Sequence, residues 1–238
     1  MMLTNLADIL REAGLTVIES DGWKTRGHGK MTSVKSIICH HTAGPATGDY
    51  PSLKTVRDGR KDLSGPLSQL GLGRSGKWYV IAAGLCYHAG VVTDTSLYSN
   101  ANAIGIEAEG TGIPSTDSGH THWPDVQYES YLRGVKALQK AFNVPTSHVK
   151  GHKEIAAPAG RKADPNFSMD EFRAALEGLD AVISIGTTSV FLYITELALR
   201  TAHKHAIIIE INPDDTEVSH VVRDQAITIL SKLLHYLS

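Results

Sequence analysis

Val34-Lys-Ser-Ile-Ile-Cys-His40 is a short apolar run that closes on a histidine, and His41 follows at once. A run this short and this rich in Val and Ile is a strand and not a helix. Its last residues carry imidazoles, which are metal ligands or proton carriers at neutral pH. Neighbours on a strand point to opposite faces, so His40 and His41 cannot serve one ion together.

Working outward, Ala103–Gly110 (AIGIEAEG) alternates, with Ile104, Ile106 and Ala108 on one face and Glu107 and Glu109 on the other. Lys77–Ala82 (KWYVIA) is a third strand, entered through a turn at Arg74–Gly76. Residues 15–19 are extended, and Val149–His152 is a short approach to a loop. Residues 3–13 form an amphipathic helix with Leu3, Leu6, Ala7 and Leu10 on one face, stopped by Gly14. Residues 52–60 are helical and lead into a loop at Leu63–Pro66. The strongest helical pattern is Gln127–Phe142, where Tyr128, Tyr131, Leu132, Val135, Leu138 and Phe142 recur at helical spacing. Ser168-Met-Asp-Glu171 is a capping box opening a helix with Phe172, Ala175, Leu176 and Leu179 inward. Strands and helices alternate over residues 30–177, which predicts an α/β domain with a central sheet flanked by helices.

The expected boundaries are 1–29 for the N-terminal helix and lead-in, 30–179 for the main domain, 180–189 for a linker and 190–238 for a small α/β unit. In that unit Val190–Ile194 and Ala206–Ile211 read as strands, Asn212–Asp215 as a turn and His220–Leu237 as a helix.

The chain of 238 residues is 42% apolar and 20% charged, with a formal net charge of -2. That balance offers no electrostatic case for nucleic acid. No stretch has the roughly 20 apolar residues that span a bilayer, so no stable membrane insertion is expected. Asp8, Arg11 and Glu12 interrupt the first apolar run, which therefore does not read as a secretory leader, and the expected location is the cytoplasm. Two cysteines, Cys39 and Cys86, make no disulfide framework.

His40, His152 in Gly-His-Lys-Glu and Asp164 in Gly160-Arg-Lys-Ala-Asp-Pro165 could together hold zinc. Catalytic zinc takes three nitrogen, oxygen or sulfur ligands and keeps a fourth position for water. Spacing alone does not single this set out. Cys39 and His41 share a strand face, Cys86 and His88 are likewise two apart, and these four form a rival Cys2His2 set. The structural reading of Cys39 is a small buried hydrophobe. Trp23, Trp78 and Trp123 read as core or groove-rim residues.

Residues from about Leu6 to Phe172 resemble the peptidoglycan amidase family that includes phage endolysins, the anhydro-muropeptide amidase and peptidoglycan recognition proteins. The segments that carry the resemblance are GWKTRGHG, SIICHHTAGP, DYPSLKTVRDGR, GPLSQLGLGRSGKWYVIAAG, NAIGIEAEGTG and GHKEIAAPAGRKADP, in the family's order. The N-terminal half looks most like endolysins of phages that infect actinobacteria. The resemblance implies a mixed central sheet flanked by helices and zinc as cofactor, on His40, His152 and Asp164. It implies Lys162 as the group that stabilises the oxyanion and Glu107 as the proton carrier. His41, His88 and Arg161 fall where substrate contacts are expected. The implied partner is bacterial peptidoglycan and the implied reaction is hydrolysis of the amide between N-acetylmuramic acid and L-alanine, as in host lysis by a phage or prophage endolysin. One departure stands out: other branches place a Tyr where this chain has Ser68, which shifts the acid–base duty toward Glu107. A non-catalytic wall-binding module and a zinc peptidase acting within the stem peptide are the alternatives. Residues 190–238 are read as a wall-binding module, an oligomerisation element or an extension of the fold.

Overall fold

The computed structural model describes residues 1–185, 202–211 and 220–221. It contains two compact units, Met1–Leu176 and Glu177–Ser238. In chain order the first unit runs α1 (Leu6–Glu12), β1 (Val17–Glu19), β2 (Ser36–His41), α2 (Leu53–Asp58), β3 (Gly59–Arg60), β4 (Leu63–Ser64), β5 (Leu70–Leu72), β6 (Trp78–Val80), α3 (Thr95–Tyr98), β7 (Ala103–Ala108), α4 (Asp125–Phe142), β8 (Val149–Gly151), α5 (His152–Ile155) and α6 (Met169–Glu177). Six of the strands form one sheet in the order β1-β6-β5-β7-β2-β8. Only β5 and β6 pair antiparallel; the other neighbours are parallel. The expected mixed sheet flanked by helices is the fold observed.

The sheet's first face builds the main core. Ile37 and Cys39 of β2, Leu70 and Leu72 of β5, and Ile104, Ile106 and Ala108 of β7 meet Leu6 and Leu10 of α1 and Tyr131, Val135 and Leu138 of α4. Burying each of the large side chains contributes about 1.5–3 kcal/mol. Gly134 sits inside α4, where glycine normally costs about 1 kcal/mol against alanine. A Cβ there would lie 2.0 Å from Cζ2 of Trp78, so the glycine lets the helix settle onto the indole. Asn143 ends α4 in the left-handed region at φ 54°, returning its N–H to the carbonyl of Gln139. The opposite face of β2 carries Ile38 and His40. Ile38 packs with Ala89, Val92, Ala103 and Ile155.

Two expectations shift, and a strand absent from the sequence reading appears between them. The N-terminal segment is no separate lead-in: Leu3, Leu6, Leu10, Trp23 and Met31 are buried in the main core, within the same compact unit. Strand β5 lies in the middle of the sheet although Leu70-Gly-Leu72 is short and glycine-interrupted, a pattern with weak strand propensity. Helix α2 stops at Asp58, and Gly59–Arg60 turn into the β3/β4 hairpin.

In the second unit β9 (Leu179–Ile185), β10 (Ala202–Ile211) and β11 (His220–Val221) form a parallel three-stranded sheet in the order β11-β10-β9. Strand β9 occupies residues 180–185 of the expected linker; Val182, Ile183 and Ile185 there are β-branched and suit a strand. The expected strand at Ala206–Ile211 lies within β10. His220–Val221 is strand where the helix was expected to begin. The remainder of that helix, the strand at Val190–Ile194, the turn at Asn212–Asp215 and residues 186–189 lie outside the described residues.

Candidate active site

Three elements bring His40, His152 and Asp164 together. His40 is the last but one residue of β2, His152 opens α5 directly after β8, and Asp164 comes from the loop before α6. Because β2 and β8 pair in parallel, both histidines leave the sheet at the same edge. His40 Nδ1 lies 2.9 Å and His152 Nδ1 3.2 Å from the same carboxylate oxygen, Asp164 Oδ2. The ligand atoms of all three residues fall within 4.8 Å of one another, and this is the one such group among the described residues.

The far nitrogens decide what the near ones can do. His152 Nε2 lies 2.9 Å from the carbonyl of Ala89, so it carries the hydrogen and donates it. His40 Nε2 faces Nδ1 of His88 at 3.3 Å, and His88 Nε2 faces the carbonyl of Ala103 at 3.2 Å. Burial pushes His40 down to about 4 despite the pull of Asp164, so it is neutral near pH 7. Burial likewise holds His88 well below the usual histidine range, with the neighbouring His40 adding to the effect. With each Nε2 engaged elsewhere, both Nδ1 atoms are left facing one carboxylate oxygen. A divalent cation resolves that arrangement, and the set of two nitrogens and one oxygen suits zinc.

Glu107 stands beside this group. It is in register with His40 on the neighbouring parallel strand and with Gly71 on the other side. Its Oε2 is buried and has no partner. Burial raises its pKa well above the usual carboxylate range, the charge of Asp164 adds to the rise, and Lys162 opposes it. A carboxyl that holds its proton more tightly than usual suits proton transfer near neutral pH. Lys162 is half-buried two residues before Asp164, and its charge reaches both Glu107 and His40. Ser68, at the position of the missing tyrosine, is fully buried and donates to the carbonyl of Leu70 at 3.0 Å. Its hydroxyl is tied to the first residue of β5.

The remaining candidates are placed as follows. His41 points away from the cluster, toward the Gly110–Gly112 turn. His88 is buried behind His40. Arg161 spends Nε on the carbonyl of Ala157 at 2.8 Å and Nη2 on that of Val91 at 2.7 Å, bracing two loops beside the cluster. The rival Cys2His2 set does not assemble: Cys39 lies in the main core, while His88 turns to His40. All three tryptophans are buried, Trp78 donating to Ser130 and Trp123 to Asn166. Sequence reasoning placed Tyr131 in the core but missed its hydroxyl, which accepts from the His40 N–H at 3.2 Å and fixes the backbone there. It also missed Gly105, whose position inside a strand is the recognised sign of a close approach.

The described geometry is matched by family likeness. The N-acetylmuramoyl-L-alanine amidase family matches residues 30–167, more than half of the chain and the whole of the His40, His152 and Asp164 cluster. No curated protein matches the chain. Among solved structures, an endolysin N-acetylmuramoyl-L-alanine amidase from Clostridium intestinale is 20% identical with a TM-score of 0.49, covering 68% of this chain and 95% of its own. Drosophila PGRP-LB, a mutant in complex with tracheal cytotoxin, is 18% identical with a TM-score of 0.43, covering 66% and 99%. The Ph2119 endolysin from a Thermus scotoductus bacteriophage is 18% identical with a TM-score of 0.43, covering 61% and 93%. On the extent of the family match, this chain belongs to the N-acetylmuramoyl-L-alanine amidase family.

Proposed function

We propose that the protein hydrolyses the amide joining the muramic lactyl group of peptidoglycan to L-alanine, with zinc held by His40, His152 and Asp164. The observation that carries this reading is the convergence of two histidine Nδ1 atoms on Asp164 Oδ2 with each Nε2 already engaged. Zinc bound there would supply Lewis-acid polarisation of water and of the scissile carbonyl. Glu107, with its free Oε2, accepts the proton of the attacking water and returns it to the leaving amine of L-alanine. Lys162 places a cation where the carbonyl oxygen gains negative charge, a contribution that is large in a site shielded from water. His41, turned toward the Gly110–Gly112 turn, and Arg161, on the loops beside the cluster, are candidate contacts to the glycopeptide.

The reading extends to a role as a phage or prophage endolysin that reaches the host wall from the cytoplasm after a membrane lesion. The test is mass spectrometry of purified wall digested by the zinc-loaded protein, with a chelated sample beside it. New L-alanine amino termini on intact glycan, lost on chelation and restored by zinc, are the expected result. New termini inside the stem peptide would assign a peptidase. Binding without cleavage at stoichiometric zinc would assign a recognition module.

A further inference from the structure

We propose that His88 and Ala89, pinned together by Asn100, form one brace that fixes the ring orientation and tautomer of both metal-binding histidines. The inference rests on the reading that His40 and His152 hold zinc. Consecutive residues do the bracing: the His88 side chain meets His40 Nε2 at 3.3 Å, and the Ala89 carbonyl meets His152 Nε2 at 2.9 Å. One side-chain oxygen, Asn100 Oδ1, accepts the N–H of His88 at 3.1 Å and the N–H of Ala89 at 2.8 Å. Asn100 touches neither ligand, yet it sets where both second contacts stand.

The proton order in this brace follows from its fixed end. The carbonyl of Ala103 can only accept, so His88 Nε2 carries the hydrogen. In the tautomer with its hydrogen on Nε2, His88 offers Nδ1 as an acceptor, and His40 Nε2 is the donor across the 3.3 Å contact. That leaves the lone pair of His40 on Nδ1, on the side of Asp164. The His152 ring reaches the same state through a backbone carbonyl directly. His88 therefore does for His40, across a longer gap, what the main chain does for His152. Room for the extra ring comes from Gly105: a Cβ there would lie 2.6 Å from Cγ of His88. Any other residue in the middle of β7 would push the imidazole off His40.

The experiment measures zinc affinity by chelator competition, and the imidazole N–H signals of the zinc-loaded protein by NMR. Full-length wild type is compared with His88→Ala, Gly105→Ala, Asn100→Ala and Asn100→Asp. Outer partners of zinc-binding histidines typically account for about 10- to 100-fold in metal affinity. His88→Ala is expected to lose affinity in that range and to lose the protected Nε2–H signal of His40 while keeping that of His152. Gly105→Ala should act in the same direction. Asn100→Ala should weaken affinity and perturb both signals, and Asn100→Asp, which keeps the acceptor oxygen, should restore them. A folded His88→Ala with wild-type affinity and an unchanged His40 signal overturns the proposal. If His88→Ala does not fold, an Asn100→Ala protein indistinguishable from wild type in both measurements overturns it. A wild-type chain without zinc affinity overturns the metal reading itself, a different failure.

Discussion

Glu107 and Glu109 stand two residues apart on one face of the same strand line, and the structure treats them in opposite ways. Glu109 lies just past β7, where its N–H extends the ladder to the carbonyl of Leu72. It is 1% exposed, and its carboxylate accepts from the Thr42 hydroxyl at 2.8 Å and from both the N–H and the hydroxyl of Ser52 at 3.0 Å. Arg74 stands 4.0 Å away. Those bonds tie the segment after His41 and the start of α2 to the sheet. Glu107 has a buried oxygen with no partner and a proton affinity raised by burial. A buried carboxylate that is saturated with donors is a fixture, while one left short of donors is poised to exchange a proton. Alternation alone could show that both point the same way; the difference lies in what the neighbouring strands and loops bring to each.

The contrast breaks at its root if the cluster beside Glu107 holds no metal. His152→Ala removes a proposed ligand and leaves the Asp164 carboxylate facing a single imidazole. Zinc content is expected to fall to background and wall hydrolysis to the detection floor, checked by metal analysis and release of L-alanine amino termini. This is the largest effect expected.

Glu107→Gln comes next. It keeps shape and removes the titrating group, so activity should fall by about 10²- to 10⁴-fold while zinc stays bound. Stability should move the other way. The folded state favours neutral Glu107, so its contribution is complete below the ordinary value of 4.5 and is lost as pH rises through the raised folded value. The metal-free Glu107→Gln protein is therefore expected to melt above metal-free wild type at pH 7, with the gap closing toward pH 4. A lower melting temperature at pH 7 would show that Glu107 is charged and paired.

Glu109→Gln reverses that pattern. Its amide turns a donor toward groups that are themselves donors, costing about 1–3 kcal/mol in denaturant unfolding. Activity should fall less than about 10-fold, because no proton passes through it. A loss of activity as large as that of Glu107→Gln, without a matching loss of stability, would erase the distinction between the two.

How much of this the sequence carries depends on how local each signal is. Ile104, Ile106 and Ala108 repeat at two and the α4 residues at helical spacing, so the faces of both elements are legible in one dimension. Strand β5 is not, because Leu70-Gly-Leu72 gains its place only from β6 and β7 on either side. The four-residue α5 is too short for any periodicity to show. Asp164 has no local mark of a ligand; the family resemblance supplied it, and His40 and His152 meeting on one oxygen gave it a physical basis. The resemblance puts His88 among the expected substrate contacts; its contact with His40, 48 residues away in sequence, leaves no local signal. Gly105 was the available clue, since a glycine between two core isoleucines needs a reason.

The smallest effect expected tests β2 itself, whose adjacent residues serve opposite faces. Cys39 precedes His40, is fully buried in the apolar core, and has its thiol pushed up to about 12 by burial. A thiol that does not ionise is a poor ligand, since zinc takes the thiolate. Cys39→Ser should therefore leave zinc stoichiometry and activity unchanged, and lower stability by about 1–3 kcal/mol because a hydroxyl replaces sulfur among hydrocarbon side chains. Metal analysis and denaturant midpoints check both halves. Zinc lost from Cys39→Ser and retained by His152→Ala would move the metal to the other face of β2. The contrast between Glu107 and Glu109 would then have no site beside it to explain.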